Sequence, residues 1–430
     1  MSENFRLKRF ETDKIALLGL FVLALLAAYI LVLVKSALIF SEPIELTHLG
    51  LSVSMPVGHG WHSEKQWRYH KNTYTLSSNF AVSSDKPIAV AYCQYMLAPE
   101  AMSPKMWYEQ KAVEVEGAVI EMDQEQINGL TVDWAHIERP ELLLSIFLGT
   151  TELPNDRRLN IEVHQFTNDI DFAEVVFRQI IESLSFKGDQ RIENGIEVVN
   201  SIKDKGLDSF LEGQNQQGYF LIKNSDEQKI GFMIDVLTDS DSDASFNIQA
   251  AGHLYGRGIR EQATLFRGTN NLGEFIWQSE TSGTVGISHL EVILDEEGIM
   301  TVGEVRARSK TRYRLSSAAI PDIFIEQLMN QFIESRMKQI IIDMIDADGK
   351  ITPTLVFVVE DKESYSVDED TAYVVQLEFL DGQGFSEVIF LNDRKHITKV
   401  KIQQNKSFII EETSREVLLQ EFPERADFIL

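Results

Sequence analysis

The amino-acid sequence predicts an α+β protein with one N-terminal transmembrane helix, an α/β domain and a mostly antiparallel β-rich domain around one long helix. The transmembrane helix is predicted from an uncharged apolar run at residues 15–34. The α/β domain rests on strand patterns that alternate with two helical patterns across residues 44–187. The β-rich domain rests on successive period-two segments across residues 206–430.

The apolar run is long enough to cross a bilayer, because a helix of this length spans roughly 30 Å. Four cations, Arg6, Lys8, Arg9 and Lys14, precede it, and only Lys35 follows closely. The positive-inside rule therefore predicts a cytoplasmic tail at residues 1–14, a single-pass signal anchor in the cell membrane and an extracytoplasmic bulk, periplasmic or equivalent. A cleaved signal peptide and a buried core helix are the alternatives.

The composition excludes several classes of protein. The chain has 66 acidic and 40 basic residues and a formal net charge of −26, which disfavours a nucleic-acid partner. Its apolar content of 44% is that of a globular protein and not of a disordered acidic tail. Cys93 is the only cysteine, so neither an intramolecular disulfide nor a multi-cysteine zinc site can form. A bacterial-type cell envelope fits this cysteine content.

The α/β domain is predicted from its strand and helix signals. Strands are expected at residues 49–55, 88–95, 127–138, 142–150 and 159–167. A first helix should begin at the Ser103-Pro104 cap and end before Gly117. A second helix is expected at about residues 170–184, where apolar side chains recur at helical spacing.

Parts of residues 44–187 resemble the PsbP-like α/β/α sandwich. The resemblance rests on the strand Leu-Ser-Val-Ser-Met-Pro at residues 51–56, on Gly60-Trp61, and on a terminal helix that ends near Phe186. Members of that family mostly bind other proteins. The resemblance therefore implies a binding module, and it transfers no functional residue.

The polar, glycine-punctuated residues 188–205 are predicted as a linker. In the domain that follows, a helix is predicted at residues 321–340, with strands on both sides of it. A long meander interrupted by one apolar helix resembles the half-barrel of LolA-like and LppX-like envelope proteins. This resemblance implies a hydrophobic cavity for acyl chains, whereas the alternative is a solid sandwich with a packed helix.

Five cations alternate with other residues in a row near the middle of this domain: Arg306, Arg308, Lys310, Arg312 and Arg314. In a strand, all five side chains would project from one face. One interpretation is an anion or lipid-headgroup site. The other is a solvated face that is neutralised by neighbouring acidic residues such as Glu291 and Asp295.

Metal sites and cofactors are not predicted. His59, His62 and His70 lie near two glycines but lack the ligand types and fixed spacing of a zinc site. Asp239, Asp241 and Asp243 alternate as calcium ligands do, but the loop lacks the glycine and glutamate of an EF-hand, so they are weak calcium candidates. The loop at residues 346–349 fails the same test.

No catalytic motif for a serine hydrolase, a zinc protease or a nucleotide-binding enzyme occurs in the chain. The sequence therefore predicts a membrane-anchored, non-catalytic protein-interaction or scaffolding protein of the cell envelope with an unidentified protein partner. The alternative is a lipid- or lipoprotein-binding module that uses a cavity in the C-terminal domain. A second alternative is an unrecognised hydrolase.

Overall fold

The computed structural model describes residues 38–58, 60–81, 88–167, 170–211, 216–239, 248–256, 261–283, 286–305, 310–362, 365, 367–403 and 407–429. These residues are mainly strand, in large antiparallel sheets. The predicted α+β class is therefore wrong, because most of the helical segments are short and the strands extend through both halves of the chain.

The N-terminal half contains an eight-stranded antiparallel sheet in the order β5-β7-β8-β12-β11-β10-β9, with β6 paired to β7. Its strands are β5 (Trp61–Ser63), β6 (Arg68–His70), β7 (Thr73–Phe80), β8 (Ala89–Met96), β9 (Ala118–Ile127), β10 (Leu130–Arg139), β11 (Leu144–Leu153) and β12 (Arg157–Gln165). Smaller sheets are formed by β1 (Ile39–Phe40), β2 (Ile44–Leu46), β3 (Leu51–Val53), β4 (Pro56–Val57) and β13 (Ser185–Phe186).

One face of this sheet is covered by a helix and belongs to the main core. Helix α2 (Ile170–Ser183) buries Val176, Phe177 and Ile180 against β11 and β12. Gly149 on β11 makes this close approach possible, because a Cβ at that position would lie 3.0 Å from the Phe177 ring. The period of the apolar residues and this glycine together fix the helix on the sheet.

The opposite face is covered only in part. Helix α1 (Pro104–Glu114), capped by Ser103, packs on β9 and β10 through Tyr108 and Ala112. Along β7 the same face keeps Thr73, Thr75 and Ser77 partly exposed. The predicted PsbP-like α/β/α sandwich is therefore wrong, because the second helical layer is incomplete.

The C-terminal half forms a continuous 15-stranded sheet in the order β21-β20-β19-β18-β17-β16-β15-β14-β28-β27-β26-β25-β24-β23-β22. All its pairs are antiparallel except β22 with β23. The strands are β14 (Gln216–Asn224), β15 (Lys229–Asp239), β16 (Ile248–Gly256), β17 (Glu261–Gly268), β18 (Phe275–Gly283), β19 (Gly286–Leu294), β20 (Ile299–Glu304), β21 (Thr311–Arg314), β22 (Ala319–Pro321), β23 (Gln339–Ile345), β24 (Ile351–Val358), β25 (Tyr373–Phe379), β26 (Ser386–Leu391), β27 (Ile397–Gln403) and β28 (Phe408–Glu412).

The single long helix predicted at residues 321–340 is divided in the structure. A short 3-10 turn at Asp322–Phe324 leads into the helix at Ile325–Ser335, and Arg336 ends that helix in the left-handed conformation. Three consecutive isoleucines, residues 340–342, then lie in β23. β-Branched side chains favour a strand, which is why the apolar pattern changes from helix to sheet there.

The remaining helices flank the large sheet. Gln190–Lys205, predicted as a linker, forms helix α3, and Gly195 lets it approach β23, since a Cβ there would lie 2.0 Å from the Ile341 carbonyl oxygen. In chain order, the others are α4 (Asp208–Leu211), α5 (the Ile325–Ser335 helix), α6 (Arg415–Glu421) and α7 (Ala426–Ile429).

The two large sheets share one hydrophobic core and several polar contacts. Arg157 on β12 forms an ion pair with Asp343 on β23, at 2.9 Å between Nη2 and Oδ2. The hairpin of β6 and β7 contacts the loops beside β24: Asn72 accepts a hydrogen bond from the Ile351 amide at 2.8 Å, and the Tyr69 hydroxyl donates to the Ile351 carbonyl oxygen. The N-terminal sheet therefore supports one end of the large sheet.

Among the described residues, no helix is long and apolar enough to span a membrane. On this finding, the transmembrane helix in the predicted fold class is wrong, and the predicted membrane localisation and single-pass signal anchor are corrected with it. The apolar run at residues 15–34, on which those predictions rested, lies outside the described residues.

Candidate functional site: a carboxylate-lined cavity

The large sheet curves around a cavity of about 660 Å³, which lies between strands β15–β18 on one side and the loops after β23 and β25 on the other. The start of the 325–335 helix closes a third side through Asp322, Ile323 and Ile325. A volume of this size is typical of sites for small molecules.

Six carboxylates line the cavity: Asp235, Asp322, Asp346, Asp348, Asp381 and Glu387. They come from distant parts of the chain, because the strands that carry them are neighbours only after the sheet has curved. Lys350 is the lysine that lines the cavity with them. Fully ionised, these groups would give the cavity lining a net negative charge.

Some of these carboxylates have partners. Asp381 forms an ion pair with Lys350, at 3.3 Å between Oδ2 and Nζ. Asp346 accepts hydrogen bonds from the backbone amides of Asp348 and Lys350 at 3.0 and 2.9 Å, and Ser279 donates to Asp348 at 3.4 Å. These contacts are typical of a turn that holds its own side chains in place.

Asp235 and Glu387 have no such compensation: within the described part of the chain, neither carboxylate has a hydrogen-bond or ion-pair partner. Burial raises the pKa of Asp235 to about 7, with a further contribution from the nearby Glu326 carboxylate. Burial alone raises the pKa of Glu387 to about 7. Both side chains still contact the solvent-accessible space of the cavity. They are therefore half-buried, ionisable groups that face an open volume.

The pKa values of Asp322 and Asp346 are raised as well. Burial raises the pKa of Asp322 well above its usual range, and repulsion from Asp346, Glu387 and Asp235 adds to the effect. Burial also raises the pKa of Asp346, although hydrogen bonds from the Lys350 and Asp348 amides oppose the shift. Groups that repel one another in a cleft are more often functional than structural, because they cost stability.

Apolar and aromatic side chains complete the walls. Trp277 is only 2% exposed, and its indole Nε1 is buried without a hydrogen-bond partner. Phe379 and Phe385 pack edge to face, with ring centroids 5.0 Å apart, and Met233 and Met344 also line the space. The cavity therefore combines negative charge with aromatic surface, whereas a site for acyl chains would be apolar.

The basic row predicted as an anion site does not line this cavity where it is described. Lys310 forms an ion pair with Glu291 at 2.6 Å, Arg312 lies 3.9 Å from Asp295, and Arg314 lies 3.8 Å from Asp156. Glu291 and Asp295 are the acidic neighbours that the alternative interpretation named. Arg306 and Arg308 lie outside the described residues.

The predicted metal-site candidates are only partly described. His59, Asp241 and Asp243 lie outside the described residues, whereas His62, His70 and Asp239 are exposed. In the described ranges, no group of three or more His, Cys, Asp or Glu side chains is arranged to hold a metal ion. This holds for the cavity carboxylates as well.

A nucleophile and a base do meet at one place on the N-terminal sheet. The Ser145 hydroxyl lies 2.8 Å from Nε2 of His136, whose ring stacks on Phe147. Burial lowers the pKa of His136. Glu138 approaches the same Nε2 atom at 3.6 Å, so it does not orient the ring through Nδ1 as the third member of a catalytic triad does.

Comparisons with known proteins do not identify a family. Neither the known protein families nor the curated proteins contain a match to this sequence. Among solved structures, the chain is similar to a β-barrel-like protein of the domain of unknown function DUF1849 from Brucella abortus, with 13% identity and a TM-score of 0.34 over 46% of this chain and 95% of that chain. It is also similar to a DUF3598 family protein of unknown function from Nostoc punctiforme PCC 73102, with 8% identity and a TM-score of 0.14 over 86% of this chain and 97% of that chain.

Proposed function

We propose that this protein is a binding module for a small polar ligand, which it holds in the cavity of the large sheet. The observation that carries the proposal is the cavity of about 660 Å³ in which two carboxylates, Asp235 and Glu387, have no partner in the described residues. Both side chains are half-buried and face the space of the cavity, so a polar ligand that enters it can pair with them.

The walls favour a polar ligand over an acyl chain. Transfer of an alkyl chain into contact with unpaired carboxylates would leave those groups desolvated, at a cost on the order of 1–3 kcal/mol for each group. A polar ligand would instead replace the hydrogen bonds that the carboxylates now make only to solvent. The lipid-binding alternative therefore receives less support than the binding of a hydrophilic molecule.

The test is to fill the cavity. Thr264 is half-buried on β17 and lines the space, so Thr264→Phe should occupy part of it without changing charge. Thermal unfolding of both proteins is measured against a diverse panel of small polar compounds. We expect at least one compound to raise the Tm of the wild-type protein by several degrees and to leave that of Thr264→Phe unchanged.

The matched control is Thr131→Phe, which adds the same ring at an exposed position on β10. It should respond to the compound as the wild-type protein does. If no compound discriminates between Thr264→Phe and the other two proteins, the cavity is not a binding site and the proposed function is overturned.

A protein partner is the second candidate function, and the edge of the N-terminal sheet is the observation that favours it. In the described part of the chain, β9 pairs only with β10, so its outer edge keeps unpaired backbone groups. Ile120 and Met122 on this strand are 56% and 46% exposed. An exposed apolar edge strand is a typical place for another strand to add.

Ile120→Lys tests this candidate, because a charge on an edge strand opposes pairing with another chain. A partner captured from the native host by the wild-type protein should be lost by this variant. Thr131→Lys on the adjacent β10, which is also exposed, provides the control. Equal capture by all three proteins would exclude this edge as the docking site.

A further inference from the structure

We propose that the ligand of the cavity is a small organic cation with at least two amino groups, such as an aliphatic diamine or polyamine. This inference rests on the proposed function and names its ligand class. The geometry that supports it is the placement of two carboxylates without a partner in the described residues, Asp235 on β15 and Glu387 on β26, on different walls of a cavity that also contains aromatic surface.

The charged groups that line the cavity favour a cationic ligand. In the described part of the chain, six carboxylates line the cavity with one lysine, Lys350, and one histidine, His253, whose pKa is lowered by burial. Lys350 is exposed and already forms an ion pair with Asp381. Asp322 is surrounded by Asp346, Glu387 and Asp235, each of which repels its charged form. A ligand with two or more positive charges would turn this repulsion into attraction, whereas an anion would add to it.

The aromatic and apolar side chains of the cavity walls also favour an organic cation. Phe379 and Phe385, both half-buried, provide aromatic surface, and the half-buried Met233 provides a flexible apolar contact. Aromatic rings attract cations through their negative faces, and the same surfaces accept the methylene groups between two amines. The ligand should therefore be an organic cation with an apolar spacer.

A metal ion is a poorer occupant. Divalent ions need several oxygen ligands within about 2.0–2.6 Å of one point. No group of three or more His, Cys, Asp or Glu side chains in the described residues is arranged in that way. The carboxylates are instead distributed over the walls of a volume that is large enough for a chain of several heavy atoms.

Proton release provides a signature of this binding. A cation favours the charged form of a carboxylate, so it should lower the pKa of Asp235 and of Glu387 from about 7. Binding at pH 7 should then release protons, and affinity should rise between pH 6 and pH 8. The other titratable groups that line the cavity are Asp322, Asp346, Asp348, Asp381, Lys350 and His253, and the Glu326 carboxylate lies near Asp235.

The experiment uses spermidine as the probe, with titration calorimetry on the full chain at 150 mM salt. Because the protein is strongly acidic, weak surface binding has to be separated from binding in the cavity. The cavity variant Asp235→Asn/Glu387→Gln is therefore compared with Glu296→Gln/Glu297→Gln. The second variant removes the same formal charge at an exposed turn that does not line the cavity.

We expect the cavity variant to bind spermidine at least tenfold more weakly and the turn variant to bind it within twofold of the wild-type protein. In two buffers with different ionisation enthalpies, the wild-type protein should release protons at pH 7 and the cavity variant should release fewer. Both substitutions are nearly isosteric, and a thermal unfolding scan of each variant confirms that a loss of binding is not a loss of folding.

The contrary outcomes are distinct. Equal weakening in both variants would place spermidine on the acidic surface and overturn the inference. Binding of a neutral compound such as 1,8-octanediol, blocked by Thr264→Phe while spermidine fails to bind, would keep the cavity as a ligand site but reject a cationic ligand. If neither spermidine nor any panel compound binds, the proposed function fails together with the inference.

Discussion

Two regions of this molecule bury carboxylates, and they treat them in opposite ways. At the contact between the two large sheets, Asp343 is 0% exposed and accepts hydrogen bonds from Arg157 and Ser316. In the cavity, Asp235 and Glu387 are half-buried and have no partner among the described residues. The first arrangement holds two sheets together, whereas the second leaves two carboxylates available to a ligand. Under the proposed function, pairing distinguishes the structural charge from the ligand-binding ones.

Removal of Arg157 should produce the largest effect of the substitutions considered. Burial alone would lower the pKa of Arg157, but the Asp343 carboxylate and Tyr95 more than offset this, and the pKa ends above its usual value. Arg157→Met would remove the ion-pair partner of Asp343 and leave its carboxylate in the core with Ser316 as a hydrogen-bond donor. We expect the free energy of unfolding to fall by about 3–5 kcal/mol, measured by denaturant unfolding at pH 7.

The double variant Arg157→Met/Asp343→Leu is the control for that prediction. It removes both charges, so most of the lost stability should return. If the single and double variants are equally unstable, packing and not the unpaired charge explains the loss.

Substitution of the cavity carboxylates should have the opposite effect on stability to substitution of Arg157. The pKa of Asp235 and of Glu387 is about 7 in the folded protein and near 4 when unfolded, so the folded state binds more protons between pH 4 and pH 7. The unfolding free energy therefore falls as pH rises through that window. Asp235→Asn or Glu387→Gln should stabilise the protein by about 1–3 kcal/mol at pH 8.

The same substitutions should have little effect at pH 4, because both carboxyl groups are then largely protonated in the folded protein. Thermal unfolding scans at pH 4, 6 and 8 measure the difference. The exposed Glu296→Gln serves as the reference and should be neutral at each pH. Destabilisation by Asp235→Asn at pH 8 would mean that its carboxylate has a partner in solution.

The hydrogen bond between Asn72 and the start of β24, beside the cavity, can be tested separately from the cavity carboxylates. Asn72 is 6% exposed, has φ of 64° and accepts the hydrogen bond from the Ile351 amide. Asn72→Gly keeps this backbone conformation but leaves the amide unpaired, so we expect a loss of about 1–3 kcal/mol. Asn79→Gly, at an exposed position on β7, controls for the added chain entropy of glycine. Equal losses would show that the rim contact contributes nothing.

Elements of the fold could be predicted where apolar residues recur at one regular spacing within a segment. The helix that contains Phe177 and Ile180 could be predicted because its apolar spacing is unambiguous and Ser183 ends it. The helix predicted at residues 321–340 was too long because helical and strand patterns run together before the isoleucines at residues 340–342. Such a boundary is decided by which surface the segment packs on. Most neighbours in the 15-stranded sheet are consecutive in the chain, whereas the pairing of β14 with β28, which joins its two halves, is long-range and is encoded by no local pattern.

The candidate site could not be predicted from the sequence. Asp235 and Glu387 are 152 positions apart and become neighbours of one cavity only through the curvature of the sheet. One local signal existed: Asp235 lies between Ile234 and Val236 in a strand that is otherwise mostly apolar. In a chain with 66 acidic residues, a single carboxylate in an apolar strand does not stand out. The basic row was more conspicuous because its five cations fall at every second position and are opposite in sign to the net charge of the chain.

The smallest expected effect on stability is that of replacing Lys350. It tests whether this one lysine neutralises the carboxylates of the cavity. Lys350 is exposed, so its ion pair with Asp381 should contribute under about 1 kcal/mol. Lys350→Gln should therefore change stability little while raising the pKa of Asp346 further, because Lys350 opposes that shift. The stability profile between pH 4 and pH 8 measures both effects, with Lys395→Gln, which removes a surface pair with Glu334, as the control. A loss as large as that of Arg157→Met would mean that Lys350 already neutralises the cavity, and the contrast between the two regions would disappear.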